Sequence, residues 1–421
     1  MSRVHVIGAG LAGLAAALRL VRAGATVTVH EAAAQAGGRC RSYHDAKLGR
    51  VIDNGNHLLL SANHAALDYL AEIGAGDSLL APPEAVFPFV DIATVERWAV
   101  RPNGGPLPWW ILSPGRRIPG TGLGDHLALA RILGAGEGDT VADRIGTRGA
   151  MWRCFWQPFT VAVLNAAPEA ASARLLGLAL RQSFLKGGGR CRPMIAARGL
   201  GPSFIDPALA HLARAGVEIG FGRRLRGLRP GADGHRVAVL EFGGDEVALA
   251  ATDQVVLAVP PEPAARLVPG LKVPLGATMI LNAHMVLDQA PAALGEVPFL
   301  GVIGGLAQWI FGRDRVVSVT VSAADDHAET SADDLARRLW RDVAAALNLD
   351  PSVEPPIRIV KEKRATFAQT PENVGRRPAA AAALENLALA GDWTATGYPA
   401  TIDGAIRSGR RAAQLALARL T

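Results

Sequence analysis

The chain has 421 residues, 49% of them hydrophobic but only 5% aromatic, and a formal net charge of +6. That length exceeds one compact core and favours two domains or one discontinuous pair, while three scattered cysteines without a C-x-x-C pair exclude a disulfide framework and the common zinc spacings. No apolar run approaches the roughly 18 residues of a membrane span and no signal-peptide order opens the chain, so a cytoplasmic protein is expected, its basic surface suiting anionic lipid or a phosphorylated ligand rather than nucleic acid.

In chain order, residues 3–8 (RVHVIG) form an apolar, β-branched run expected of a buried parallel strand. It leads into Gly8-Ala9-Gly10-Leu11-Ala12-Gly13, a helical stretch closed by Gly24, and a second strand, ATVTVHE, ending at Glu31. Strand, G-x-G-x-x-G, helix, strand and acid make the complete context of a dinucleotide fingerprint. Gly8 permits the tight turn, Gly10 admits a pyrophosphate to the backbone, and Gly13 lets helix and strand pack closely. The helix N-terminus offers free N–H groups to phosphate. Glu31, 18 residues past Gly13, is placed to accept from ribose hydroxyls. Gly37-Gly38-Arg39 follows, where paired glycines allow close backbone contact and arginine neutralises phosphate.

The next stretch, VIDNGNHLLL (51–60), holds two titratable groups, Asp53 and His57, flanking Gly55 and Asn56. His57 is either a proton donor or a hydrogen-bonded partner. Asp53 is the more natural turn-holding residue, and His5 and His30 belong to strands. LPWWILSPGRR (107–117) places Trp109 and Trp110 between prolines and ahead of Arg116 and Arg117. MWRCFWQPFTVAVL (151–164) has four aromatics at helical spacing, Trp152, Phe155, Trp156 and Phe159, with Pro158 expected to disturb the run, as a core stripe or a hydrocarbon-tunnel lining would. GVEIGFGRRLRGL (216–228) and QVVLAVPP (254–261) read as further strands of the nucleotide domain. SVTVSA and SADDLARRLWRDVAAALNL read as a strand and a helix covering a sheet. LALAGDW (387–393) is a last short strand before a turn that opens a helix.

The fingerprint, the Gly37-Gly38-Arg39 turn and GYPATIDGAIRSG together resemble the FAD-dependent amine oxidase and carotenoid desaturase superfamily. The resemblance implies FAD as cofactor. It also implies contacts from Ala32 beside Glu31, from Gly55 and Asn56 along the flavin ring, and from Leu225 at the adenine end. Gly391 and Asp392 would meet the ribityl or pyrophosphate region, and the amides at Ala400, Thr401 and Ile402 the flavin pyrimidine. The implied fold is α/β: a Rossmann-like FAD-binding domain of the amine oxidase/glutathione reductase type, assembled from 1–85, 205–265 and 375–421, with a discontinuous α+β substrate domain from 86–204 and 266–374.

Read with DNGNHLLL, the 107–117 loop and MWRCFWQPFTVAVLNAAPEAAS, the chain looks like the squalene-associated flavoproteins of bacterial hopanoid synthesis, the hydroxysqualene dehydroxylases. It departs from them at LNAAPE (164–169), where relatives commonly carry Thr before the proline. The resemblance implies reductive removal of the hydroxyl of hydroxysqualene, with His57 as proton donor and Asp53 as its orienter. A long isoprenoid substrate implies peripheral contact with the inner face of the cell membrane through Trp109, Trp110, Arg116 and Arg117, and contact with upstream squalene-pathway enzymes. Two alternatives stay open: an FAD-dependent desaturase of a carotenoid-like polyene, and a non-catalytic prenyl-lipid binder.

Overall fold

Alternating β-branched residues build a parallel sheet from parts of the chain far apart in sequence. In the computed structural model, which describes residues 2–295 and 297–420, five strands pair in the order Glu218–Gly220, Thr26–His30, Arg3–Ile7, Gln254–Leu257 and Leu387–Leu389. All four pairings are parallel. Buried on both faces, these strands need apolar residues at nearly every position. Arg3–Ile7 is buried from Val4 onward, and Gln254–Leu257 throughout.

Two helices cover one face. The helix Leu11–Arg22 starts directly from the glycine turn, and the helix Ile402–Ala418 packs along it. Close approach explains two glycines here. A Cβ on Gly13 would strike the carbonyl oxygen of Gly8, and one on Gly409 would strike that of Ala12. The first and last helices of the chain thus touch backbone to backbone. Part of 216–228 departs from expectation. Glu218–Gly220 joins the parallel sheet, but Gly227–Pro230 belongs to a separate three-stranded antiparallel sheet with Val237–Glu241 and Glu246–Ala248.

The second large sheet has seven strands, in the order Ile357–Phe367, Ala277–Val286, Val316–Val321, Trp309–Arg313, Phe299–Ile303, Phe87–Asp91 and Glu96–Val100. Its two faces follow the strand period of two. Leu281, Ala283, Met285, Val317 and Val319 pack on the amphipathic helix Ala332–Leu347. The opposite face changes character along the sheet. Asn282, His284, Ser318 and Thr320 make it polar where it meets residues 53–56. Phe87, Phe89, Phe299, Trp309 and Phe311 make it aromatic farther along.

Pro158 does not interrupt 151–164 as the sequence led one to expect. The chain runs through a π-helical turn, Trp152–Trp156, straight into the helix Gln157–Leu164, with Pro158 in its first turn. The wider turn accommodates a residue that has no N–H to donate. Trp152 and Trp156 are buried and join the aromatic layer, which gathers more than half of the chain's few aromatic side chains.

Candidate active site

The glycine turn lies at the carboxyl end of the first strand, where ligands of open α/β sheets bind. Gly10 and Gly37 face each other in a parallel bridge, and the Gly37 N–H donates to the Ala9 carbonyl (2.8 Å). A Cβ on Gly10 would meet nothing within 4 Å, so bare backbone borders open space. Gly38 approaches this surface from the other loop, and Leu11 and Ala12 begin the helix whose first N–H groups point at it. Glu31 accepts from the Ala9 N–H and the Ala33 N–H, both at 2.7 Å, beside exposed Ala32. A carboxylate retains capacity for further donors such as ribose hydroxyls. The loop carrying Leu225 docks on this acid, because the Arg223 N–H donates to the Glu31 carbonyl (2.8 Å). The Leu225 side chain itself turns into the core.

Arg39, expected to face phosphate, is turned to the other end of the chain. Its guanidinium donates to Asp392 Oδ1 (2.8 Å) and to the Ala365 carbonyl. Asp392 raises the guanidinium pKa still further above its ordinary value. Gly391, at φ +148°, donates its N–H to Ser408 Oγ (2.9 Å), which joins this turn to the last helix. Thr401 caps that helix, its Oγ1 accepting from the Gly404 N–H (3.1 Å). Of the amides expected at the flavin pyrimidine, that of Ala400 is already engaged by Gln369 Oε1 (2.9 Å). Among the described residues, the N–H groups of Thr401, Ile402 and Asp403 at this helix start have no protein acceptor.

Asp53 is a buried hub. It accepts from the Ser42 hydroxyl, the Leu200 N–H (2.9 Å) and Arg313 Nη2 (2.6 Å). No Asp53–His57 hydrogen bond forms among the described residues, and Asp53 acts on His57 through its charge. Desolvation is the stronger effect and holds His57 neutral, pulled down to about 4 despite the attraction of Asp53. Around this pair the polar sheet face supplies a relay that the sequence did not announce. Asn56 Nδ2 donates to Thr320 Oγ1 (3.0 Å), Thr320 Oγ1 to Asn282 Oδ1 (2.9 Å), and Asn282 Nδ2 to the Asn54 carbonyl (3.4 Å). Gly55 sits against Asn282, where a Cβ would lie 3.3 Å from Nδ2. His284, also buried and pulled down to about 4 by desolvation, contacts Ser318 Oγ (2.8 Å).

The 107–117 loop divides its tryptophans. Trp109 is 62% exposed, but Trp110 is half-buried with its ring edge-on to His126. Leu107, Leu112, Leu123 and Leu127 are exposed with Trp109, so the outward apolar surface is wider than the sequence motif. Arg116 is exposed beside it and Arg117 half-buried. An open recess of about 320 Å³, lined by Phe89, Trp98, Phe299 and Leu294 with Arg97 and Arg101, lies alongside the aromatic layer.

A two-ended glycine cradle on a parallel sheet, facing a second sheet that is polar below the cradle and aromatic beyond it, defines a flavin-dependent oxidoreductase. The chain belongs to the flavin containing amine oxidoreductase family, whose profile matches residues 11–417, and FAD is its cofactor. The chain is 47% identical over 416 residues to a hydroxysqualene dehydroxylase of Rhodopseudomonas palustris, covering 99% of this chain and 98% of that one. It is 45% identical over 414 residues to a hydroxysqualene dehydroxylase of Sinorhizobium fredii, covering 98% of each. Its fold is similar to a solved putrescine oxidase structure, at a TM-score of 0.72 and 17% identity over 99% of both chains. No helix among the described residues is long and apolar enough to cross a membrane.

Proposed function

We propose that this chain reductively removes the hydroxyl group of hydroxysqualene to give squalene, binding FAD in a unit of 1–85, 205–265 and 375–421 and the polyene in a unit of 86–204 and 266–374. Identity at 44–47% over nearly the whole chain to three hydroxysqualene dehydroxylases carries this reading. The sheet face that grades from polar to aromatic supports it, because such a surface matches one hydroxyl on a long hydrocarbon.

Bound and reduced, FAD supplies the hydride that the carbinol carbon receives. The rest falls to the chain. Gly10, Gly37 and Gly38 offer backbone to the diphosphate, Gly8 and Gly13 shape the turn that leads to it, and Glu31 accepts from the ribose. The C–O bond breaks as its oxygen takes a proton and leaves as water, and the allylic position spreads the positive charge left behind. His57 is the group we assign to that proton. A depressed pKa makes its imidazolium a strong acid but a scarce one, and Asp53, fixed by Ser42, Leu200 and Arg313, favours its formation. The aromatic layer holds the hydrocarbon and excludes water.

A substrate this insoluble has to be taken from a bilayer or a neighbouring enzyme. Trp109 with Leu107, Leu112, Leu123 and Leu127 forms the surface we assign to the inner face of the cell membrane, and Arg116 meets anionic headgroups at about 1 kcal/mol. Squalene-pathway enzymes at the same membrane are the partners this reading implies. The test is anaerobic incubation of dithionite-reduced holoprotein with hydroxysqualene and, separately, of oxidised holoprotein with phytoene. Squalene from the first and no desaturation in the second is the expected result, and the reverse pattern overturns the assignment.

A further inference from the structure

The strap that follows the strand Ile357–Phe367 carries a carboxamide with no exposed surface. Gln369 Nε2 donates to the carbonyl of Leu164 (2.6 Å), the last residue of the helix that continues the aromatic π-turn. Its Oε1 accepts the Ala400 N–H (2.9 Å), at the threshold of the C-terminal helix. Its backbone carbonyl also accepts the Ser172 N–H (3.0 Å), which caps the following helix Ala173–Gln182. The two ends of the carboxamide are fixed by chemistry, since an N–H needs an acceptor and a carbonyl needs a donor.

Neighbouring residues stiffen both attachments. Asn165, next to Leu164 and at φ +46°, donates to the Thr278 carbonyl (3.1 Å) and Thr366 Oγ1 (3.0 Å), and accepts from the Ala323 N–H (2.7 Å). Farther along the strap, Arg377 donates to the carbonyls of Asp392 (3.0 Å) and Tyr398 (2.7 Å) and to Thr396 Oγ1 (2.9 Å). The strap therefore holds the flavin-facing segment at two places and the aromatic helix at one. Among the described residues of the strap, Gln369 bonds to both.

We propose that Gln369 is a positioning residue that fixes the Ala400 segment relative to the end of the aromatic helix, so that filling the hydrocarbon chamber alters the surroundings of the flavin. The coupling to the chamber rests on the polyene reading above, whereas the grip on Ala400 does not. Two substitutions separate the two ends. Gln369→Glu keeps an acceptor for Ala400 and, at a pH where its carboxyl is ionised, loses the donor to Leu164, and Gln369→Met loses both.

The experiment titrates apoprotein with FAD, then holoprotein with squalene, following flavin absorbance in each form, with circular dichroism as the folding check. Gln369→Met is expected to weaken FAD binding about tenfold, as loss of a partner for one buried N–H implies, and Gln369→Glu to stay within about twofold of the original chain. Squalene is expected to perturb the flavin spectrum of the original chain and of neither variant. A folded Gln369→Met protein with unchanged FAD affinity overturns the proposal, as does a Gln369→Glu protein that binds FAD as poorly as Gln369→Met. Squalene that leaves the original flavin spectrum untouched also overturns it. A chain that shows the perturbation but does not convert hydroxysqualene sinks the functional reading alone.

Discussion

Arg39 Nη2 lies 2.8 Å from Asp392 Oδ1, joining residues 353 positions apart in sequence across the cofactor cradle. One member belongs to the turn after the second strand, and the other to the turn before the last helix. The pair therefore fixes the spacing of the two loops proposed to close on one dinucleotide. Arg39→Met is expected to weaken FAD binding about tenfold by loosening that spacing. Arg39→Lys should recover only part of the loss, because an ammonium cannot present a guanidinium's forked donors to Asp392 and the Ala365 carbonyl together. Fluorescence titration of the apoproteins with FAD measures both effects, and a lysine variant equal to the original chain would refute the geometric argument.

Asp53 predicts a loss of stability before a loss of chemistry. Its side chain is 3% exposed and carries the Arg313 guanidinium and two further donors. Asp53→Ala strands a half-buried cation and a buried N–H, at a cost of about 2–4 kcal/mol. Asp53→Asn keeps the shape and one acceptor, and should cost about half as much. Urea denaturation of both holoproteins checks the order.

Desolvated histidines set the direction of the pH dependence. Desolvation pulls His30, His57 and His284 down to about 4 from their ordinary 6.5. Between those values the unfolded chain binds more protons than the folded one, so stability falls as pH drops from about 6.5 toward about 4. His284→Gln keeps a polar contact for Ser318 and cannot take up a proton, so its stability should fall less steeply over that window. Denaturant midpoints measured near pH 7 and near pH 5 give the comparison.

The two tryptophans of the 107–117 loop should part company experimentally. Trp109→Ser combined with Leu112→Ser removes exposed apolar surface, and should reduce flotation with anionic vesicles several-fold without lowering the melting temperature. Trp110→Ser removes a ring packed on His126, and should lower the melting temperature with a smaller effect on flotation. Equal flotation by all three proteins would remove the membrane surface from the account.

Much of the cradle was legible because its signals are local. Gly8 to Gly13, Glu31 and Gly37 to Arg39 act within a few residues of one another, and strand–turn–helix chemistry reads directly from such spacing. The chain's return at Asp392 and Thr401 was legible through resemblance. What stayed hidden depends on tertiary placement. Ser318 and Thr320 alternate with valines in a pattern that ordinarily marks a solvent-facing strand. Here that polar face is buried and serves as the floor under residues 53–56. Asn282, His284 and Gln369 are single polar residues in apolar or irregular stretches, and nothing local distinguishes them from surface positions. The Trp109–Trp110 pair looked like one feature because sequence adjacency hides that a 3₁₀ turn sends neighbouring side chains in different directions. Asp53 could be read as a turn-holding residue or as an orienter of His57, and two of the donors that reach its carboxylate, Leu200 and Arg313, lie too far away in sequence to be foreseen.

Single-turnover stoichiometry ties hydroxysqualene reduction to the bound flavin. Holoprotein reduced with dithionite and freed of excess reductant is mixed anaerobically with hydroxysqualene while flavin absorbance and product are followed together. One squalene is expected for each flavin reoxidised, with His57→Ala slowing both in parallel. Flavin that stays reduced beside unconverted hydroxysqualene, in protein that is folded and fully loaded, would contradict the proposed dehydroxylation.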